Sequence, residues 1–311
     1  MVQAIGVTRP GGPGALGELD LPAEPIRPGQ VRTRVSSATV NPADAVIRSR
    51  PRQDEADRVR VPGMEVAGVI TEIGPAVDRP LAIGDAVMAV VVPSGEHGGY
   101  RADLVVPARS VAKIPDGLSD VQAATIPMNG LTARLALDTL ALPAGATVAV
   151  TGAAGTVGGY FVQLAKQAGL VVVADASRQD EAFVRECGAD EVVPRGDDFA
   201  ATVRRRHPGG VDGLVDAAVL EAAVLPAVKD GGTVVTVRGY QGDGTDRLRV
   251  APIFVRDYVE AAAELDRLAE LAGEGRLTVR VAGELPASRA GDAHRSLERR
   301  GVRGRFVLRF G

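Results

Sequence analysis

Val148-Ala-Val-Thr-Gly-Ala-Ala-Gly-Thr-Val-Gly158, continuing to Gly169, is the stretch that decides how this chain is read. Val148 to Val150 read as the end of a buried parallel strand. Gly152 to Gly155 then make a tight turn. Val157, Tyr160, Phe161, Leu164, Ala165 and Ala168 recur at helical spacing, and Gly169 is a helix stop. The turn spells Ala153-x-Gly155-x-x-Gly158, a Gly-x-Gly-x-x-Gly pattern with Ala at its first position. Gly155 leaves no side chain between the backbone and a pyrophosphate, and Gly158 lets helix and strand pack closely. Ala153, Ala154, Gly155, Thr156, Val157 and Gly158 are therefore the expected phosphate cradle. The helix N-terminus completes it with free N–H groups and a positive dipole end.

Alone, such a pattern also describes a turn that binds nothing. Its surroundings argue for a dinucleotide. A second apolar strand, Leu170 to Ala174, follows directly, and Asp175 lies 17 residues past Gly158, where a ribose-facing carboxylate belongs. Two other uses of a glycine turn fail on the residues. A short-chain dehydrogenase needs Tyr-x-x-x-Lys, but Tyr100, Tyr160, Tyr240 and Tyr258 are followed four residues on by Leu104, Leu164, Gly244 and Ala262. A P-loop needs Gly-Lys-Ser/Thr, and Gly158 is followed by Gly159 and Tyr160.

A length of 311 residues holds one large or two medium domains. A net charge of −3 points to neither nucleic acid nor membrane as partner. No apolar run reaches the length of a transmembrane helix, and Met1-Val-Gln-Ala lacks a signal-peptide layout. A single cysteine forms no internal disulfide, and with these features the expected location is the cytoplasm. Hydrophobic residues make up 45% but aromatics only 3%, so the core is built of Val, Ala, Leu and Ile.

Residues 1–119 read as a β-rich domain. Val31 to Val35, Val66 to Ile73, Ala86 to Val92 and Ala102 to Val106 are short apolar runs between Gly and Pro turn signals. Ala43 to Arg50 suits a short helix, and the charged run Arg50 to Arg60 a mobile surface loop. Residues 120–259 alternate helix and strand, which implies a parallel, doubly wound sheet. Helices are expected at Asp120–Leu140 with a break at Pro127, Asp180–Cys187, Phe199–Arg206 and Glu221–Val228. Strands are expected at Glu191–Val193, Gly213–Ala217 and Thr233–Arg238. Residues 260–311 return to the first domain. There a long helix is expected over Val255–Ala272, a strand at Val279–Val281, a helix at Ala290–Arg300 and a last strand at Phe306–Leu308.

Further segments stand in a telling order: Asn41-Pro-Ala-Asp44, Pro62-Gly-Met-Glu-Val-Ala-Gly68, Gly84-Asp-Ala-Val87, Gly98-Gly-Tyr100, Gly130-Leu-Thr-Ala133, Thr151 to Gly158, Gly188-Ala-Asp190 and Arg303-Gly-Arg305. Together they resemble the medium-chain dehydrogenase/reductase superfamily, closest to its zinc-independent quinone oxidoreductase (zeta-crystallin-like) family. The resemblance implies an α/β protein: a GroES-like β-rich domain plus a Rossmann doubly wound parallel sheet. It implies hydride transfer from a nicotinamide to a quinone, in the manner of an NADPH:quinone reductase. Alternatives are reduction of an enone or enoyl thioester, and a non-catalytic NADPH-binding structural or sensor protein.

The resemblance places Asn41 beside the nicotinamide, where an amide holds a carbonyl or hydroxyl without a defined charge. The residues alone equally describe an Asx turn before Pro42. Thr132 resembles a Thr near the nicotinamide, or is a helix Thr bonding its own backbone. Tyr100 lines the cleft or packs as a strand Tyr. Val46 stands where many family members have Tyr, so no phenol is available there to donate a proton. His97, His207 and His294 share no spacing; His294 falls in a surface helix pattern, and all three read as solvated. Cys187 reads as packing, and Arg204 to Arg206 as a solvated helix end. Arg303 and Arg305 resemble a segment near the cofactor. No zinc is expected: one Cys cannot fill a four-Cys site, and the Gly-His-Glu of zinc-dependent relatives reads Gly63-Met64-Glu65 here. A homodimer is expected through Thr233–Arg238 as an edge strand.

The choice of cofactor divides the residues. Asp175 at the end of its strand suits the ribose hydroxyls of NAD(H) and repels a 2′-phosphate. Ser177 and Arg178 suit that phosphate, although Asp180 stands where the family often has a phosphate-binding Lys. If Asp175 turns away and pairs with Arg178, it no longer bars the phosphate. With the subgroup's habit, NADP(H) is preferred and NAD(H) second.

Overall fold

The short apolar runs of the first third become strands. A computed structural model describes residues 1–50, 58–244, 246–299 and 301–311. In chain order it begins with β1 (Val2–Gly6), β2 (Gly17–Leu21), β3 (Gln30–Val40), helix α1 (Pro42–Ser49), β4 (Glu65–Ile73), β5 (Ala86–Val90), β6 (Asp103–Pro107) and β7 (Val111–Lys113). Short α2 (Asp120–Ala123) leads to α3 (Pro127–Leu140), split where Pro127 was expected to break the helix. Then follow β8 (Thr147–Thr151), α4 (Thr156–Gln167), β9 (Val171–Ala176), α5 (Glu181–Glu186), β10 (Glu191–Pro194), α6 (Phe199–Arg206), β11 (Val211–Asp216), β12 (Val228–Thr236) and β13 (Arg249–Pro252). The chain ends with α7 (Ala262–Gly273), β14 (Val281–Pro286), α8 (Ala290–Glu298) and β15 (Arg305–Arg309). Two units result: Met1–Met128 with Val259–Gly275 and Val279–Gly311, and Asn129–Tyr258 with Arg276–Thr278.

In the first unit β3 is the organising strand. One edge pairs antiparallel with β6 over Gln30–Arg34 and with β15 over Ser37–Val40; the other edge carries β4. Register shifts occur where β4 passes Arg32–Thr33 and Val35–Ser37. Gly68 is required there, since a Cβ would lie 2.1 Å from Arg34 O. Val31, Val35, Val66, Ile70 and Leu104 fill one core with Ala290 and Ala293 of α8. Each of these Val, Ile and Leu side chains, fully buried, contributes roughly 1.5–3 kcal/mol.

The second unit is a six-stranded parallel sheet in the order β10-β9-β8-β11-β12-β13. This is the doubly wound order 3-2-1-4-5-6, with its switch point between β8 and β11. Gln163 on α4 accepts the Thr278 N–H at 2.7 Å, tying the Arg276–Thr278 piece to this unit.

Four expectations need correction. Glu221–Ala227 is 3-10 rather than α-helical, because Pro226 inside it withholds an N–H and crowds the preceding turn. The single helix over Val255–Ala272 is a 3-10 turn at Val255–Tyr258 followed by α7, and the chain changes unit at Tyr258. Periodicity does not register such a crossing. The run from Thr233 is not a sheet edge, since β13 covers it. Most of the expected loop Arg50–Arg60 lies outside the described residues, but Arg60 is buried and bridges to Val7.

Candidate active site

The glycine turn takes its shape from Gly152. At φ +67° it is the left-handed residue, one position before the Ala that replaces the first glycine of the motif. Ala153 has no positive φ, so the replacement costs nothing. Gly155 donates its N–H to Gly152 O at 2.8 Å and is the N-cap of α4. A Cβ on Gly158 would lie 2.3 Å from Gly152 O, so the first turn of α4 rests directly on the glycine turn. Ala153 and Ala154 are buried and Val157 is half-buried. Thr156 Oγ1 is sealed from solvent and, among the described residues, has no hydrogen-bond partner. A buried hydroxyl lacking a partner, at a helix N-terminus whose first N–H groups have none within the helix, fits a pyrophosphate.

At the ribose end, Asp175 lies inside β9 and is 2% exposed. Its Oδ1 accepts the Ala153 N–H at 3.0 Å and its Oδ2 accepts Arg195 Nε at 3.3 Å. Burial pushes its pKa up, against the opposing pull of the Ala153 N–H and Arg195. The carboxylate thus fastens the glycine turn to β9. Its cationic partner is Arg195, not Arg178. Sequence reading passed over Arg195, although β10 pairs Pro194 with Ala176 and so brings the ends of the two strands together. Ser177 Oγ donates to Asp180 Oδ2, and Arg178 is exposed.

The switch point is tied by Thr151 Oγ1, which donates to Asp216 Oδ1 at 2.7 Å and accepts the Ala218 N–H at 3.1 Å. Beyond β11, Val219 and Glu221 hold φ of +60° and +56°. For non-glycine residues this stores roughly 1–3 kcal/mol each. Such strain beside a nucleotide crevice belongs with function, and no glycine marked it in the sequence.

In the first unit a second polar constellation is buried. Asn41 is the N-cap of α1 and fully buried. Its Nδ2 donates to Glu65 Oε1 at 2.9 Å, and its Oδ1 accepts Arg305 Nε at 2.8 Å. Glu65 Oε2 accepts the Met128 N–H at 2.8 Å. Asp44, three residues into α1, accepts the N–H groups of Asn41 at 2.7 Å and Gly63 at 2.9 Å, and the Tyr100 hydroxyl at 3.4 Å. Tyr100 OH also lies 3.1 Å from His294 Nε2, and His294 Nδ1 lies 3.1 Å from Arg48 Nη1. Arginine only donates, so Nδ1 accepts, and the neutral ring carries its proton on Nε2. That proton goes to Tyr100, whose own proton goes to Asp44. Arg48 closes the chain on Glu298 at 2.7 Å.

Burial pushes Asp44 up to about 6, opposed by the Asn41 and Gly63 N–H groups, Tyr100 and Arg305. Burial, then the Arg48 charge, pushes His294 down to about 4. Burial and Asp44 hold the Tyr100 phenol well above its usual range.

These contacts revise three sequence assignments. Tyr100 is fully buried and committed to Asp44 and His294, so the packing account fits it and the catalytic one does not. His294 is fully buried, not solvated. The signal was present: Ala290, Ala293, His294 and Leu297 form one helical stripe, and its other three members are apolar. The Arg305 side chain reaches Asn41. Arg303 Nη1 contacts Val302 O, and Thr132 is buried on α3.

Two family models match the chain: an alcohol dehydrogenase GroES-like domain over residues 27–116, and a zinc-binding dehydrogenase over residues 187–308. A mycobacterial quinone oxidoreductase of known structure superposes with a TM-score of 0.82 at 28% identity, covering all of both chains. This chain belongs to the medium-chain dehydrogenase/reductase superfamily, in its quinone oxidoreductase-like family. An NADPH-dependent alkenal/one oxidoreductase of Arabidopsis thaliana is 29% identical over 294 residues, 91% of this chain and 72% of that protein. Erythronolide synthase EryA2 of Saccharopolyspora erythraea is 37% identical over 194 residues, 61% of this chain. The chain spans only 5% to 10% of the length of this and two other polyketide synthases that it matches.

The zinc in one family description does not fit the residues present. Glu65, at the Gly-His-Glu position, already accepts from Asn41 and Met128. Cys187 is buried in the other unit, at the end of α5. Among the described residues no group of three or more His, Cys, Asp or Glu is placed to hold a metal, and no helix is long and apolar enough to cross a membrane.

Proposed function

We propose that this chain is an NADPH-dependent reductase that transfers hydride to a quinone without using zinc. The observation that carries the reading is the glycine turn, with Gly158 seated on Gly152 and the Thr156 hydroxyl lacking a partner. The nicotinamide, when bound, supplies the hydride. The α4 N-terminus and Thr156 hold the pyrophosphate. Asn41 acts as a positioning residue, holding Glu65 and Arg305 in place, while Thr132 and Arg303 stand near the cofactor as the family resemblance implies. Val46 offers no phenol and Tyr100 is locked in the core, so protons come from solvent. A second reading, reduction of an enone or enoyl thioester, is favoured by the alkenal/one relative and the polyketide synthases. The test is a panel of quinones, enones and enoyl thioesters with NADPH and NADH. Turnover of enones alone removes the quinone reading, and no turnover of any acceptor leaves only a nucleotide-binding protein.

We place the cofactor preference on Arg195. Both Asp175 oxygens already accept hydrogen bonds, and Arg195 is 40% exposed, with its Nη donors unengaged among the described residues. That guanidinium suits a 2′-phosphate. Arg195→Ala is expected to lower kcat/KM for NADPH at least about tenfold, ~1.4 kcal/mol, and to affect NADH less. Equal losses would mean the residue only supports Asp175. A wild type that prefers NADH, relaxed by Asp175→Ala, would overturn the preference. The homodimer also remains a proposal, now through the β13 edge. A monomer by light scattering at micromolar concentration counts against it.

A further inference from the structure

One carboxylate pins both ends of the segment that leaves β11. Asp216, the last residue of that strand, is buried. Its Oδ2 accepts the Glu221 N–H at 2.7 Å. Its Oδ1 accepts the Thr151 hydroxyl, whose oxygen in turn accepts the Ala218 N–H. Val219 and Leu220 stand between these two pins. A Cβ on Gly152 would lie 3.2 Å from Ala217 C and from Ala218 N, so the backbone of the segment rests against the glycine turn. All of these residues belong to the second unit.

Val219 is a costly residue for its place. Its backbone is left-handed, a conformation that glycine adopts freely and a β-branched residue resists. The side chain is not spent on the core, since Val219 is 38% and Leu220 39% exposed. Apolar side chains kept at a strained position and left open to solvent point to a ligand. The sheet order says which part of the ligand they meet. β8 lies between β9 and β11. With the pyrophosphate on the turn after β8 and the adenosine ribose at Asp175 on β9, the other nucleoside crosses to β11. We propose that Asp216 is a positioning residue for the nicotinamide half of the cofactor, acting through Glu221 and Thr151 to hold Val219 and Leu220 against the ring. The inference rests on the reading of the glycine turn as a dinucleotide cradle.

Calorimetry with NADPH and with 2′-phospho-ADP-ribose, the same molecule without its nicotinamide ring, separates the two. The wild type is expected to bind NADPH at least about tenfold more tightly than the fragment. Asp216→Ala is expected to remove that difference by weakening NADPH and leaving the fragment within about threefold of wild type. Asp216→Asn keeps an acceptor for the Glu221 N–H and offers its amide to Thr151 Oγ1, so it is expected to retain the difference. Val219→Gly guards against a variant that merely unfolds. Glycine relieves the backbone there, so its Tm is expected to hold or rise while NADPH, but not the fragment, binds at least about tenfold more weakly. Equal losses of both ligands in Asp216→Ala and Val219→Gly, or a wild type that binds them equally well, overturn the role of Asp216 and leave the cradle standing. A wild type that binds neither ligand overturns both.

Discussion

Gly158→Ala is expected to weaken NADPH binding by at least about 100-fold, ~2.8 kcal/mol, and to lower the Tm. Its Cβ would meet Gly152 O at 2.3 Å, Gly152 C at 2.7 Å and Ala153 Cα at 2.9 Å. All three are backbone atoms, so none can swing aside. Relief requires α4 to lift off the glycine turn, which moves the N–H groups and Thr156 away from the pyrophosphate. Overpacking of this kind costs roughly 1–3 kcal/mol or more in stability as well. Gly159→Ala is the matched control, one residue on in the same helix. Its Cβ would lie 3.3 Å from Ala153 O and 3.8 Å from the Phe183 ring. Helix propensity favours alanine there by about 1 kcal/mol, so binding should persist and stability hold or rise. Fluorescence titration with NADPH and thermal unfolding read both. If Gly158→Ala binds as the wild type does, the cradle does not hold the pyrophosphate in the way described.

What the sequence disclosed follows from the range of each signal. The strand, turn and helix from Thr147 to Gln167 were legible because every cue there is local: an apolar run, glycines and a helical stripe. Phe199–Arg206 was legible for the same reason. β13 was missed because Arg249–Pro252 is short and carries Arg and Pro, and its strand character comes from the neighbour it pairs with. Arg195 and His294 were missed for a related cause. Each gains its meaning from a partner far along the chain: Asp175 at 20 residues, and Tyr100 at 194. Asn41 illustrates the intermediate case. Its cap position before Pro42 was readable, but its bonds to Glu65 and Arg305 depend on β4 and β15 lying on opposite edges of β3.

The polar chain from Glu298 to Asp44 should respond to pH in a way that only its variants reveal. Asp44 is pushed up to about 6 from 3.8, so the folded state holds that proton more tightly than the unfolded state. Its contribution to stability is full below about 4 and is lost as pH rises through about 6. His294 is pushed down to about 4 from 6.5, so the folded state resists a proton that the unfolded state accepts. Its contribution is full above about 6.5 and is lost as pH falls through about 4. Each shift corresponds to about 3 kcal/mol, with opposite slopes across one window, and in the wild type they offset each other. Asp44→Asn removes the first. Relative to wild type, its stability should fall by up to ~3 kcal/mol between pH 7 and pH 4. His294→Gln removes the second, and relative to wild type its stability should rise by a similar amount over the same interval. Urea unfolding of the three proteins across this range measures both differences, since the remaining titrating groups are shared and cancel. Curves that stay parallel to wild type would mean that Asp44 stays ionised throughout. Its three donors, the Asn41 and Gly63 N–H groups and the Tyr100 hydroxyl, would then outweigh its burial.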